Sequence, residues 1–577
     1  MIKLFNSLTK NKDTFDLPKD KPIKWYTCGP TIYDEAHLGH ARTFMTFDII
    51  RRILSSFGYN IIYQMNLTDI DDKIINKVFE LTILDRITDL IFNDEKSKNV
   101  ENLLFLKKEI NCNEIIFDSF IKNFFLNPNL FREDVENFLN NNFIKQHIMS
   151  KKIFFDKINL EVDKEFYSNF IKKMENEFWE DIDSLNILRP TVVTRVTEYV
   201  EKMIKYIQEI IDNDYAYENN GSVYIDSQKM IKNGMNFFPL KENQPDDFSE
   251  NEFINEKKHP FDFALWKKST DPSGINFDSK WSKGRMGWHL ECSVMATDIL
   301  GENIDIHSGG IDLLFPHHNN ELVQNCAHDK NNKNWVKFFL HSGHLHIDGL
   351  RMGKSLKNFI TIKDYLKDIG TSNQLRLLFL FHKWNKTIDY NFNTLEEIKN
   401  MEKKFLDYLQ HINYIKKDNK IKTKIDEIDN IYYEDFIKSK LNIENQLLDN
   451  IDTQTCILIL LEFINKTYKY LTDDYNLSYV LEFTNYLENL FKIFGLEFKI
   501  NKEKNVKFYE RFIDLSINLR EDIRNCLISN KININKEIFR ILFEKLDDFR
   551  DNKLKQSGIK IEDKGLSRTK WSYHDCK

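Results

Sequence analysis

The chain has 577 residues, 41% hydrophobic and 30% charged, which is long enough for three or more domains and reads as soluble and globular. No uninterrupted apolar run is long enough to cross a bilayer. Met1 to Lys10 lacks the marks of a signal or transit peptide, and the 7 cysteines (Cys28, Cys112, Cys292, Cys326, Cys456, Cys526, Cys576) follow no disulfide-like pattern, so a cytoplasmic location is expected. A formal net charge of -7 argues against wholesale nucleic-acid binding and leaves room only for a local basic face.

In chain order, Lys24 to Thr27 reads as a strand, followed by the turn Gly29-Pro30 and a loop ending in His37-Leu38-Gly39-His40. A helix is expected from about Ala41, with Phe47, Ile50, Leu54 and Phe57 on one face, stopping at Gly58. Asn60 to Met65 reads as a second strand, and strands joined by a helix imply a Rossmann-type parallel sheet. Val78 to Leu160 is rich in Phe, Asn and Lys with patchy periodicity and reads as a mostly helical insertion. In Asp183 to Ile211, the residues Val200, Met203, Ile204, Ile207 and Ile211 form an apolar helical stripe. Tyr215 to Tyr217 and Val223 to Ile225 flank Asn219-Asn220-Gly221 as a hairpin. Lys241 to Lys258 reads as a polar surface loop, and Pro260 to Ile347 returns to alternating strands and helices. Beyond Asn385 the pattern is helical, typified by Ile457, Leu460, Leu461, Ile464, Tyr468 and Leu471. From Gly558 a short β-like segment, Ile559 to Ile561, leads into a basic tail containing Trp571.

Three constellations carry chemistry. His37-Leu38-Gly39-His40 sits where a strand hands over to a helix, and a helix N-terminus offers unpaired N–H groups and a positive dipole to phosphate. Arg351-Met352-Gly353-Lys354-Ser355 suits a mobile clamp in which Lys354 is a compact point charge. Cys28, Cys292, His317 and Glu321 are a plausible four-ligand set for Zn²⁺: Pro316 reads as a helix start, and His317 and Glu321, four apart, would then share one face. Ordinary packing and capping compete with each of these readings when it is taken singly.

Together and in this order, the first two constellations resemble the paired signatures with which class I aminoacyl-tRNA synthetases hold ATP from opposite sides. Arg351 and Gly353 stand where that pattern has Lys and Ser, while Lys354 matches the lysine used on ATP. The tracts Cys28 to His40, Asn66 to Lys73, Gly287 to Met295 and Asp305 to Glu321 are similar to the cysteinyl-tRNA synthetase family specifically. The likeness runs from Phe5 to Trp571 with Val78 to Leu160 as its main gap, and an insertion there resembles the eukaryotic type.

The resemblance implies cysteine activation by ATP and transfer to tRNA(Cys), with one Zn²⁺ per chain on Cys28, Cys292, His317 and Glu321 and Mg²⁺ arriving with ATP. It implies His37, His40 and Lys354 as catalytic; His37, Gly39, His40, Arg351, Met352, Lys354 and Ser355 as the ATP site; and Gly29, Thr68, Trp288, His307, Asp312 and His317 as the cysteine pocket, floored by His289 and His307. The fold implied is α/β. It starts with a Rossmann-type catalytic domain (1–77 and 260–345) split by a variable insertion (78–160) and a connective domain (161–259). A linking region (346–385), a helical anticodon-stem bundle (386–530) and a small mixed anticodon module (531–577) follow, the last with Asp548, Asp563 and Trp571 on the tRNA. A ligase joining cysteine to a small amine shares this catalytic fold but lacks a long region after Asn385, and a catalytically silent tRNA-binding paralogue fits poorly with retention of both histidines and Lys354.

Overall fold

A computed structural model describes residues 1–91, 164–241, 255–269, 275–329, 335–353, 356, 358–416, 422, 424–471, 475–498, 516–525, 527, 536–554, 559–564 and 567–573. Most of the expected insertion, most of the expected 241–258 loop, Lys354 and Ser355 lie outside the described residues.

After an antiparallel hairpin of β1 (Lys3–Asn6) and β2 (Asn11–Thr14), the organising sheet runs β12-β11-β3-β4-β5 (Val336–Ser342, Ile304–Gly310, Ile23–Thr27, Ile61–Leu67, Val192–Arg195), with every pairing parallel. β3 lies at its centre, where helices cover both faces of a parallel sheet, and Trp25 and Tyr26 are both fully buried although they point to opposite faces. From β3 the chain moves one way through α1 (Leu38–Ser56) to β4, and β11 and β12 fill the other side. The strand order therefore reverses between β3 and β11, and a crevice opens at their C-terminal ends. α1 begins at Leu38, three residues before the expected Ala41, because the His37 side chain supplies its N-cap. It ends at Ser56 with Phe57 as its C-cap, followed by Gly58 with φ +88°, a conformation that favours glycine. The next helix, α2, spans Asp72–Ile91 and crosses the expected domain edge at 78.

A second sheet, β6-β7-β8-β10-β9 (Ala216–Asn219, Ser222–Ile225, Ala264–Lys268, Lys283–Met286, Phe277–Asp278), is antiparallel and begins with the expected hairpin. It packs against α4 (Val200–Asp212), following α3 (Lys164–Ser184), with Met203, Ile207 and Ile210 meeting Val223, Ile225 and Trp266. This sheet extends to Met286, past the expected edge at 259. The strand β10 reads Lys-Gly-Arg-Met, without the apolar alternation that would have marked it.

α5 (Leu290–Leu300) and α6 (Asn319–His328) return to the parallel sheet. β13 (Leu345–Ile347) and β14 (Leu350–Arg351) form a tight hairpin through Asp348 and Gly349, and β15 (Ile388–Tyr390) joins the same sheet. α7 (Ser372–Leu380) leads to the helices α8 (Phe392–Ile415), α9 (Glu427–Leu448), α10 (Thr453–Tyr470) and α11 (Leu477–Phe494). The described chain forms two compact units, Met1–Glu497 and Phe498–Lys577. The second contains α12 (Lys536–Asp548) and an antiparallel hairpin of β16 (Ile559–Lys564) and β17 (Ser567–Tyr573), so the expected 531–577 module lies within it.

A buried ion pair locks α1 into the first unit. Arg376 on α7 donates to Asp48 Oδ2 at 2.6 Å, and the two side chains are 1% and 0% exposed. Arg52 reaches the same oxygen at 2.9 Å, and the Leu188 N–H donates to Asp48 Oδ1 at 2.9 Å. Arg376 also donates to the Leu185, Asn186 and Phe494 carbonyls, tying the ends of α3 and α11 to α1. Removing one partner strands a buried charge, so Arg376→Ala is expected to lower stability in urea denaturation by about 3–5 kcal/mol. A loss below about 1 kcal/mol, the range of exposed pairs, contradicts this role.

Candidate active site and metal centre

The crevice at the sheet's switch point is a cavity of about 980 Å³. Among the expected residues, Cys28, Gly29, His37, Gly39, His40, Thr68, Trp288, Cys292, Asp312, His317, Arg351 and Met352 line it. His307 and Glu321 lie just behind the wall, both 0% exposed, joined by a 2.7 Å contact from His307 Nε2 to Glu321 Oε2.

One wall is the start of α1. The Gly39 N–H donates to His37 Nδ1 at 3.0 Å, and the His37 N–H faces His40 Nδ1 at 3.4 Å. The two rings stack with centroids 3.8 Å apart. A backbone N–H only donates, so each Nδ1 must accept, and in the neutral ring the proton then sits on Nε2. Loss of hydration, followed by repulsion from His37, draws the His40 pKa down to about 3, so it is neutral at physiological pH. A side chain at Gly39 would meet the His37 ring at 2.8 Å, so the stacked pair requires glycine. The Nε2–H groups of this pair border the cavity and suit phosphate oxygens.

The second signature comes to the same wall. The Leu38 N–H donates to the Ile360 carbonyl at 3.1 Å, and Phe359 sets its ring edge-on to His37 at 5.1 Å. Asn358 bridges its own loop, accepting from the Gly353 N–H at 2.9 Å and donating to the Arg351 carbonyl at 3.0 Å. Arg351, Met352 and Gly353 thus line the cavity beside the start of α1, with Met352 Cε 3.3 Å from where a Cβ on Gly39 would sit.

The opposite wall gathers sulfur, imidazole and carboxylate. Cys28 follows β3 and is held by its N–H on the Ser308 carbonyl at 3.0 Å. Its Sγ lies 3.5 Å from Cys292 Sγ, 3.3 Å from His318 Nε2 and 3.8 Å from Glu321 Oε1. His317 Nε2 reaches Glu321 Oε1 at 3.1 Å. Donor atoms of Cys28, His317, His318 and Glu321 lie within 4.8 Å of one another. The sequence points to Cys292 as a donor but not to His318, the second of two adjacent histidines, because spacing alone says nothing about which ring turns inward. His317 lies in a wide turn before α6 instead of on the helix itself. Phe315 is extended (φ -142°, ψ 131°), as a residue before proline tends to be, and α6 starts at Asn319.

The electrostatics suit a cation. Cys28, Cys292, His317, His318 and Glu321 are all at most 5% exposed. Burial raises both thiol pKa values, that of Cys28 strongly, and drives His317 and His318 well down. Neutral imidazoles are ready ligands, and a divalent cation is what turns buried thiols into stable thiolates. Outer partners orient the rings: His289 Nδ1 lies 3.1 Å from His317 Nδ1, and His318 Nδ1 lies 2.7 Å from His341 Nε2, whose Nδ1 in turn meets Ser7 Oγ at 2.8 Å. Trp288, 42% exposed, stacks on His317 at 4.5 Å and borders the cavity.

Asp548 belongs to the second unit and accepts from Asn552 at 2.7 Å. Trp571 pairs with Ile561 in the β16–β17 register, and Asp563 falls at that ladder's irregularity.

Comparison with known proteins is consistent with this geometry. Residues 14–400 match the family model of the class I (C) tRNA synthetase catalytic domain. The cytoplasmic cysteine–tRNA ligase of Xenopus laevis is 33% identical over 97% of this chain and 81% of its own length. That of Dictyostelium discoideum is 34% identical over 99% of this chain and 77% of its own. A Campylobacter jejuni structure assigned as an arginyl-tRNA synthetase shares the fold at a TM-score of 0.51 and 14% identity, covering 83% of this chain and 94% of that one. The chain is therefore an enzyme of the cysteine–tRNA ligase family, within the class I tRNA synthetases.

Proposed function

We propose that this enzyme joins L-cysteine to ATP, giving cysteinyl-adenylate and pyrophosphate, and then passes the cysteinyl group to the 3′ end of tRNA(Cys). One observation carries the reading: a buried thiol–imidazole–carboxylate cluster opens onto the same cavity as the capped histidine pair and the Arg351 turn. An amino-acid thiol and a nucleotide phosphate can therefore meet in one space.

Cys28, Cys292, His317 and Glu321 would hold one Zn²⁺, which supplies a soft cation that prefers sulfur to hydroxyl where a pocket of ordinary side chains separates near-isosteres poorly. His318 is read as a support for this set, since a second thiolate at Cys292 better suits a soft borderline metal. Gly29, Thr68, Trp288 and Asp312 line the amino-acid end, with Asp312 suited to the substrate ammonium and His307 buttressing Glu321. His37 and His40 donate Nε2–H to phosphate oxygens, and Gly39 lets the backbone approach them. Arg351, Met352, Lys354 and Ser355 close over the nucleotide from the other side, and Mg²⁺ accompanies ATP. In the first step a cysteine carboxylate oxygen attacks the α-phosphorus and pyrophosphate leaves. In the second, a terminal ribose hydroxyl attacks the acyl carbon and AMP leaves. Both steps need positioning and charge stabilisation, and neither needs a protein nucleophile.

The helices α8–α11 are read as the support for the anticodon stem, and the second unit, with Asp548, Asp563 and Trp571, as the anticodon reader. The relatives named above carry the description cytoplasmic, and we take the same location for this enzyme; among the described residues no helix is long and apolar enough to cross a membrane.

The purified chain is expected to catalyse pyrophosphate exchange that depends on cysteine and not on serine, and to charge tRNA(Cys). Absence of exchange by zinc-loaded protein overturns the activation step, and exchange without charging points to a small-amine acceptor. Lys354→Ala is expected to slow exchange by roughly 10²-fold, in line with loss of one transition-state charge contact. Metal analysis is expected to find zinc lost in Cys292→Ser and retained in His318→Ala; the reverse pattern makes His318 the fourth ligand.

A further inference from the structure

Two side chains of α1 tie the histidine pair to another wall of the cavity. Arg42, two residues past His40, is 1% exposed, lines the cavity and has no carboxylate partner among the described residues. Its Nη1 donates to Thr46 Oγ1 at 3.2 Å, and its Nη2 serves the carbonyls of Lys383, Trp384 and Lys386 at 3.1, 2.8 and 3.3 Å. Its Nε–H meets no acceptor among the described residues. A guanidinium only donates and a carbonyl only accepts, so the direction of this clamp is settled. Burial draws the Arg42 pKa down to about 9, which leaves it charged at neutral pH. Arg376, equally buried, has Asp48 to offset its charge, whereas Arg42 has carbonyls alone. A buried charge held without a counter-ion is unfavourable, and here the whole fork is spent on one loop.

That loop bears on the cavity. The Trp384 carbonyl held by Arg42 also accepts the Gly343 N–H at 3.1 Å, and the Ile388 N–H donates to the His344 carbonyl at 2.9 Å. A Cβ at Gly343 would sit 2.1 Å from the Lys386 carbonyl oxygen, so loop and wall meet backbone to backbone. Ser342, Gly343 and His344 all line the cavity. Thr43, the next residue of α1, shares a 3.0 Å hydroxyl–hydroxyl hydrogen bond with Ser342. The first turns of α1 therefore grip this wall twice, once directly and once through the loop.

We infer that Arg42 is a positioning residue for the activation step, holding loop 383–386 so that the Ser342–His344 wall stands at a fixed distance from the histidine pair and the slot between them takes a nucleotide in one pose. Thr43 is the second, weaker tie. The sulfur cluster is built on β3, α5 and the turn before α6, and owes nothing to either residue. This rests on the cysteine-activation reading and adds residues that reading does not use.

The test is cysteine-dependent pyrophosphate exchange by the full-length, zinc-loaded chain, with ATP and L-cysteine varied separately. A lysine ammonium lacks the planar fork and cannot span the same carbonyls. Arg42→Lys is expected to raise KM for ATP by roughly 10-fold, as for loss of a charge-assisted hydrogen bond. KM for L-cysteine and kcat are expected to stay within about threefold, because contact with the nucleotide is lost equally from the ground and transition states. Thr43→Val keeps the side-chain shape and cuts only the direct tie, so KM for ATP is expected to rise by roughly threefold, as for one neutral hydrogen bond. Equal rises in KM for ATP and L-cysteine, or an unchanged KM for ATP in both variants, overturn the inference and leave the activation reading standing. Failure of the unmutated chain to catalyse exchange overturns the activation reading and the inference with it.

Discussion

The parallel pairing of β3 with β11 is the constraint on which the site depends. Its register sets Trp25 opposite Ile306, Tyr26 opposite His307 and Thr27 opposite Ser308, and it delivers Cys28 to the strand end beside residues that follow much later in the chain. A slip of one residue would turn Tyr26 and Cys28 together to the other face of the sheet and take Cys28 out of the donor cluster. The register is secured where it matters: Trp25 Nε1 donates to Ser308 Oγ at 2.8 Å, and the same serine's carbonyl receives the Cys28 N–H. The connection between β3 and β4 then places the start of α1 at the same crevice, so one topological reversal gathers both the stacked histidine pair and the sulfur cluster.

Within that crevice one residue type does two kinds of work, and the second ring nitrogen decides which. His37 and His40 spend Nδ1 on backbone N–H groups and keep a donor at Nε2. His317 and His318 are buried, and their Nδ1 atoms meet other imidazoles while their Nε2 atoms face Glu321 and Cys28. The first arrangement suits an anion and the second suits a metal.

Local pattern made much of the fold legible in the sequence. The β3–α1–β4 unit, the hairpin of β6 and β7, and the helix at Thr453–Tyr470 all carry periodicities that depend only on near neighbours. The early start of α1 was not legible, because a histidine pair acting as a cap lies outside ordinary capping chemistry. The extension of the second sheet to Met286 was hidden by the polar sequence of β10. Cys28, Cys292, His317 and Glu321 are residue types suited to zinc, and family likeness is what makes them an expected ligand set. His318 needed the turn geometry at Phe315–His318.

The central claim is that the sulfur cluster and the phosphate seat share one cavity so that a substrate thiol is recognised at the metal centre. X-ray absorption at the zinc edge, on the purified chain with and without L-cysteine, tests this most directly. The account predicts one additional sulfur neighbour at zinc when L-cysteine is present and no change with L-serine. An unchanged zinc environment in saturating L-cysteine would contradict it.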